Sequence, residues 1–145
     1  MTERHVNAES SARARQSEEL QRRTKHFALR IIALFRSLPR TEEARVIGRQ
    51  VLRSGTSVAA NYRAVCRARS KAEFIAKMGT VVEEADETVF WLDLLIEAGI
   101  VTRHRMEKLL AEANELVSIF VVSRATARRG LTARSTNPSV ADAGR

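Results

Sequence analysis

Four segments of the chain repeat apolar residues at alternating spacings of three and four, which is the period of an amphipathic α-helix. A short connection with a helix-breaking or helix-capping residue follows each of the first three segments. Aromatic residues make up only 5% of the chain, which is poor material for a sheet sandwich. The pattern therefore predicts an all-α protein.

Proline and a threonine cap set the limits of the first two predicted helices. The first apolar stripe predicts helix one from about Glu18 to Leu38. Pro39 ends this helix, because proline disfavours the helical conformation of the residue before it and has no backbone N–H to donate. Thr41 is the expected N-cap of helix two, which should end near Ala68.

A capping box and two glycines set the limits of the other two helices. In the box Ser70–Glu73, the serine should accept from the glutamate amide while the glutamate side chain reaches back. Gly99 is the expected left-handed cap at the end of helix three. Thr102 should open helix four, which is predicted to run to about Arg128 and to stop at Gly130.

The short predicted connections, of two to four residues, require each helix to lie antiparallel to the one before it. The predicted architecture is an up-down-up-down four-helix bundle that spans residues 17–129 as one domain. Residues 1–16 and 130–145 have little apolar material to bury, so we expect a flexible N-terminal tail and a disordered C-terminal tail. The main predicted core positions are Leu20, Thr24, Phe27, Ile31, Leu34, Leu38, Ala44, Val51, Val58, Val65, Phe74, Met78, Val81, Ala85, Thr88, Leu92, Leu95, Met106, Leu109, Ala113, Leu116 and Phe120.

The formal charge of +8 is distributed unevenly along the chain. Residues 44–72 contain seven basic side chains and no carboxylate, whereas residues 73–97 contain one basic and seven acidic side chains. Five arginines of the basic segment fall within an arc of about 80° on helix two, over a length of about 33 Å. These five, here called the arginine ridge, are Arg45, Arg49, Arg53, Arg63 and Arg67.

Two functions are compatible with the arginine ridge. Guanidinium forks bind phosphate oxygens bidentately, so the ridge predicts contact with a nucleic-acid backbone. No aromatic residues alternate with the arginines for base stacking, and this favours structured RNA over a single strand. Alternatively, the ridge pairs with the acidic face of helix three or with a neighbouring subunit, or it is simply a solvated face.

Apolar residues outside the main stripe of helix three indicate contact with a second copy of the chain. Phe90 and Trp91 are the main residues of this predicted oligomer interface. Gly55 and Tyr62 of helix two are predicted to join it, because a glycine on a helix face permits close approach of another backbone. The alternative is an ordinary bundle core that is wider than usual.

The histidines, the acidic cluster and the cysteine of the chain do not follow the spacing of a known type of catalytic site. The three histidines lack the Glu-x-x-His spacing of di-iron bundles, and the acidic cluster Glu83–Glu87 is better explained by an ion-paired face than by a metal site. Cys66 is interpreted as a small core or interface residue, because no histidine base can be assigned to it. We therefore expect a non-enzymatic protein with no catalytic residue, metal or cofactor.

The sequence shows neither a membrane-spanning run nor a secretory signal. No apolar run approaches the roughly 18 residues that a membrane span needs. Residues 1–10 are polar and show no secretory signal, so a cytoplasmic location without a membrane partner is expected.

The central segment resembles a known bacterial family. The residues that carry the resemblance are Arg53–Arg63 (RSGTSVAANYR), Arg67–Phe74 (RARSKAEF), Glu83–Glu87 (EEADE) and Trp91–Leu92. They resemble the four-helix-bundle family that includes proteins encoded by intervening sequences of 23S ribosomal RNA genes, over about residues 20–128. Val58-Ala59-Ala60 replaces an Ile-Pro-Ala step found in many members, so helix two should be free of a proline kink here.

This resemblance implies a homopentamer around a central channel, with no defined activity and no catalytic residue to transfer. Relatives include the accessory variability proteins of diversity-generating retroelements, which implies a reverse transcriptase, another protein, RNA or DNA as partner. The sequence as a whole predicts an oligomeric helical scaffold that binds structured RNA through the arginine ridge, with help from the flexible basic ends of the chain. The alternative is a protein–protein interaction platform whose arginines serve subunit contacts.

Overall fold

The computed structural model describes residues 2–136 of the chain. Four α-helices follow one another: α1 (Thr2–Ser37), α2 (Glu42–Val65), α3 (Lys71–Glu97) and α4 (Arg103–Ser135). Consecutive helices pack closely against each other, and α1 packs more loosely against α4. The predicted all-α four-helix bundle is confirmed, and α2 is one uninterrupted helix.

The predicted caps lie where the sequence indicated. The side chains of Thr41, Ser70 and Thr102 accept from backbone amides in the first turns of α2, α3 and α4. The capping box differs in one contact, because the Glu73 side chain accepts from the amide of Arg69, at 3.0 Å, rather than from that of Ser70. At the end of α3, Gly99 has the expected positive φ of 70°.

The predicted core is buried at every position of the set given above except Leu38 and Phe74, which are partly buried and pack against the core. Its polar members are satisfied locally, because Thr24 donates to the carbonyl of Leu20 at 2.8 Å and Thr88 donates to that of Glu84 at 2.7 Å. Thr88 also lies 3.0 Å from the buried Ser54 hydroxyl of α2. Within residues 2–136, no buried side-chain nitrogen or oxygen is left without a partner.

The two outer helices are longer than predicted. α1 begins at Thr2 rather than near Glu18, and its residues 2–16 form an exposed helical extension. This segment is rich in Glu, Arg and Ala, which favour a helix even where nothing is buried. α4 continues through Gly130 to Ser135, since one glycine costs a helix only about 1 kcal/mol. The remainder of the predicted C-terminal tail, residues 137–145, lies outside the described residues.

Gly55 and Tyr62 lie inside the bundle of a single chain, so their prediction as oligomer-interface residues is wrong. A Cβ added at Gly55 would meet the Ile31 side chain of α1 at 2.8 Å. Tyr62 is only 4% exposed, and its ring lies 5.5 Å from that of Phe120 on α4. The close approach that a glycine allows is therefore between α2 and α1 of the same chain.

The antiparallel order brings the part of α1 around Ser17, the end of α2, the start of α3 and the later part of α4 to one end of the bundle. Ser17 Oγ of α1 lies 3.0 Å from Cys66 Sγ at the end of α2. Arg124 of α4 donates to the carbonyl of Ile75 near the start of α3 at 3.3 Å. Charged side chains on these four segments therefore lie at the same end of the bundle, where α2 passes to α3.

Candidate nucleic-acid interface

All five side chains of the arginine ridge are exposed on α2. The core-facing side of the same helix is lined by Ala44, Val51, Val58 and Val65, which turns the arginines towards solvent. Helical periodicity thus accounts for the direction of the ridge, whereas its neighbours depend on the packing of α1 and α3.

Arg53 is the member of the ridge that contacts the acidic face of α3. Its guanidinium donates to Glu84 Oε2 at 3.4 Å and forms a shorter ion pair with Glu87. The hydrogen bond from Arg53, with a second one from the Trp91 indole, holds the pKa of Glu87 below its ordinary value. The alternative of pairing with helix three therefore holds at one arginine of the ridge.

The other four ridge arginines have a different environment. Among residues 2–136, no carboxylate oxygen lies within 4.0 Å of the guanidinium nitrogens of Arg45, Arg49, Arg63 or Arg67. Pairing within one chain thus neutralises only the middle of the ridge.

A groove of about 810 Å³ runs between α1 and α2 beside the C-terminal part of the ridge. Arg63 and Arg67 line it from α2, and Arg22 and Lys25 line it from α1. Glu18 is the one carboxylate among the lining residues. The walls of this groove therefore present four cations against one anion, which suits an anionic ligand.

Further basic side chains meet at the same end of the bundle. Arg69 is exposed in the connection from α2 to α3, Lys71 is exposed at the start of α3, and Arg128 and Arg129 are exposed on the later turns of α4. The two segments are adjacent, because Lys71 Nζ lies 3.1 Å from the point that a Cβ on Gly130 would occupy.

The charge pattern of the sequence contains a second signal, on α4, which the arginine ridge of α2 does not include. No Asp or Glu occurs from residue 116 to residue 141, so the basic end of α4 belongs to a second carboxylate-free segment. Its proximity to the first segment depends on the packing of α3 against α4.

Phe90 and Trp91 lie together on α3, away from Gly55 and Tyr62. Phe90 is 56% exposed, and its ring meets that of Trp91 edge-on with centroids 4.9 Å apart. Trp91 is partly buried and donates its indole N–H to Glu87 at 3.1 Å. Of the four predicted interface residues, Phe90 thus offers the largest apolar surface.

Other candidate groups do not form a recognisable reaction centre. Cys66 is exposed rather than in the core, and burial raises the pKa of its neighbour Tyr62 to about 12. Within the described range, no group of three or more His, Cys, Asp or Glu side chains could hold a metal ion. None of the four helices is long and apolar enough to cross a membrane.

Comparisons with known proteins agree with this architecture. A solved structure from Bacteroides thetaiotaomicron VPI-5482, described as a protein of unknown function from the S23 ribosomal protein family, is 33% identical in sequence. The match covers 75% of this chain and 97% of the other, with a TM-score of 0.70. No curated protein matches the chain. The family model described as "23S rRNA-intervening sequence protein" matches residues 16–121, and the chain belongs to that family.

Proposed function

We propose that this protein is a non-enzymatic, oligomeric helical scaffold that acts in the cytoplasm and binds structured RNA through the arginine ridge. The observation that carries the proposal is the exposure of all five arginines, of which Arg53 alone contacts a carboxylate of the described chain. The family description refers to 23S rRNA, which makes a structured RNA the first nucleic acid to test.

The mode of binding follows from the chemistry of the ridge. Each exposed guanidinium can donate two parallel hydrogen bonds to phosphate oxygens, and its charge displaces condensed counterions from the nucleic acid. Because no exposed aromatic side chain lies among the arginines, the contacts are to backbone and shape rather than to bases.

The test is a salt titration of RNA binding by the Arg49→Glu/Arg63→Glu variant. We expect weaker binding and a slope of log affinity against log salt that is smaller by about 2, since about 0.9 is lost per duplex phosphate contact. The control is Arg103→Glu/Arg105→Glu, which makes the same charge change at exposed positions on α4. Unchanged affinity and slope in the ridge variant would refute the proposed surface.

The oligomeric part of the proposal rests on the exposed Phe90 ring beside Trp91. A ring that is 56% exposed gains free energy when a second copy covers it. The homopentamer implied by the family resemblance, and a reverse transcriptase as partner, belong to the same proposal. Light scattering of the wild type and of Phe90→Ala tests assembly, and a lower mass for the variant is expected.

The alternative function is a protein–protein interaction platform in which the arginine ridge serves subunit contacts. The pairing of Arg53 with Glu84 and Glu87 favours this reading, because it shows that the ridge can bind carboxylates. On this alternative, Arg49→Glu/Arg63→Glu lowers the mass of the assembly, and the wild-type protein does not bind RNA.

A further inference from the structure

The net charge of the described chain lies in one half of the bundle. Residues 2–22, 63–77 and 120–136, which surround the end where α2 passes to α3, contain 13 Lys or Arg and five Asp or Glu. Residues 23–62 and 78–119, which form the other half, contain 11 of each. The first half therefore carries a formal charge of +8 and the second carries none.

Two adjacent segments supply this charge. Six of the exposed cations, here called the basic end, lie in the last turn of α2, in the connection to α3, at the start of α3 and on the later turns of α4: Arg63, Arg67, Arg69, Lys71, Arg128 and Arg129. The contact of Lys71 with Gly130 shows that the two segments lie side by side. Together they form one surface built from three helices.

Local carboxylates do little to neutralise the basic end. Glu73 forms its ion pair with Lys77 at 2.8 Å and accepts from the backbone amide of Arg69. The other four carboxylates of this half, Glu3, Glu9, Glu18 and Glu19, are all on α1. Glu18 lies in the groove between α1 and α2, opposite Arg63 and Arg67.

The opposite part of the arginine ridge has acidic neighbours. Arg53 pairs with Glu84 and Glu87, and α3 carries Glu83 and Asp86 in the same two turns. Charges within a Debye length, about 8 Å at physiological salt, act together on a ligand, so these carboxylates weaken the attraction of a polyanion to α2 around Arg53. Farther along α2, Glu42 lines a groove together with Arg45 and Arg49.

We propose that the basic end is the main contact for the phosphodiester backbone of a structured RNA, and that Arg45 and Arg49 contribute less. This inference rests on the proposed function and changes the shape of its surface. The RNA lies across one end of the bundle, over parts of α2, α3 and α4, instead of along the whole of α2.

The decisive experiment uses two pairs of arginines on α4, a helix that the ridge does not include. A labelled RNA hairpin with a long duplex stem is titrated with the full chain, with Arg128→Gln/Arg129→Gln and with the matched control Arg103→Gln/Arg105→Gln. We expect the first variant to bind about tenfold more weakly or worse at physiological salt, with a slope smaller by about 2. The control should bind within about twofold of the wild type, because counterion release at the site is unchanged.

A second pair of variants makes the same comparison on α2. Arg63→Gln/Arg67→Gln should weaken binding more than Arg45→Gln/Arg49→Gln, although both remove two exposed arginines from one ridge. All eight positions are exposed, and circular dichroism melting checks that each variant is folded.

The outcomes separate the two proposals. An equal loss of RNA affinity in the two α4 variants would contradict the proposal that the basic end is the main contact. So would a larger loss in Arg45→Gln/Arg49→Gln than in Arg63→Gln/Arg67→Gln. In both cases RNA binding itself would still stand. If the wild-type chain does not bind the hairpin at low salt, the proposed function itself fails, and the basic end fails with it.

Discussion

The two halves of the bundle share a fold but differ in how their charges are matched. In the half that contains Arg53, basic and acidic side chains occur in equal number, and α3 supplies carboxylates to α2. In the half that contains Arg63 and Arg67, α4 adds cations to those of α2 and the facing part of α1 is neutral. The arginine ridge on α2 therefore lies beside carboxylates of α3 at Arg53 and beside further cations at Arg63 and Arg67.

The difference shows that the neighbours of a charged side chain matter as much as its own helix. Arg53 and Arg63 are separated by ten residues of one straight helix. The first is half exposed and paired with two glutamates, whereas the second lines a groove with three other cations. The following predictions test this contrast, beginning with the largest effect.

Replacing Phe120 in the basic half should cost much more stability than replacing Phe90 in the neutral half. Phe120 is fully buried against Tyr62, so Phe120→Ala should lower the free energy of unfolding by about 3–5 kcal/mol. Phe90 is exposed, so Phe90→Ala should cost the isolated chain less than about 1 kcal/mol. Chemical denaturation of both variants measures the difference.

The loss of stability caused by Phe90→Ala should also depend on protein concentration. If Phe90 lies at a subunit interface, Phe90→Ala should become more destabilising as the concentration of the wild type rises, because association stabilises only the wild type. A large cost for Phe90→Ala at every concentration would contradict its position on an exposed face.

Removing the carboxylates that face Arg53 should make the neutral half more attractive to RNA. Glu84→Gln/Glu87→Gln should raise affinity several-fold at low salt, on the order of 1 kcal/mol, because Arg53 is freed and two negative charges are lost. The control is Glu112→Gln/Glu115→Gln, which removes the two partners of Arg23 between α1 and α4. An equal gain in affinity in both variants would mean that RNA binding depends only on the net charge of the chain.

The smallest predicted effect is on stability and its pH dependence. Arg53 is about half exposed, so Arg53→Gln should cost no more than about 1 kcal/mol at neutral pH. Because Arg53 lowers the pKa of Glu87 from 4.5, the pair stabilises the fold above that pH and loses its contribution as the pH falls through the lowered value. The difference between wild type and variant should therefore shrink below pH 4.5. A difference that grows in acid would contradict the ion pair.

Most of the bundle could be predicted from sequence because its signals are local. Apolar spacing identified the buried face of each helix, and Thr41, Ser70 and Thr102 identified three starts. The start of α1 and the end of α4 were predicted poorly, since a helix with nothing to bury leaves no apolar stripe. Gly55 and Tyr62 were misassigned because a small residue signals close approach without saying which helix approaches.

The sequence alone determined that this chain forms four amphipathic helices and that five arginines share one face of the second, because both properties depend only on spacing along one helix. The tertiary structure decided which of those arginines meets carboxylates and that the end of α4 lies beside the start of α3. These pairings depend on the register between helices. Packing across the core sets that register, for example where Ile31 of α1 fits against Gly55 of α2 and where Thr88 of α3 meets Ser54 of α2.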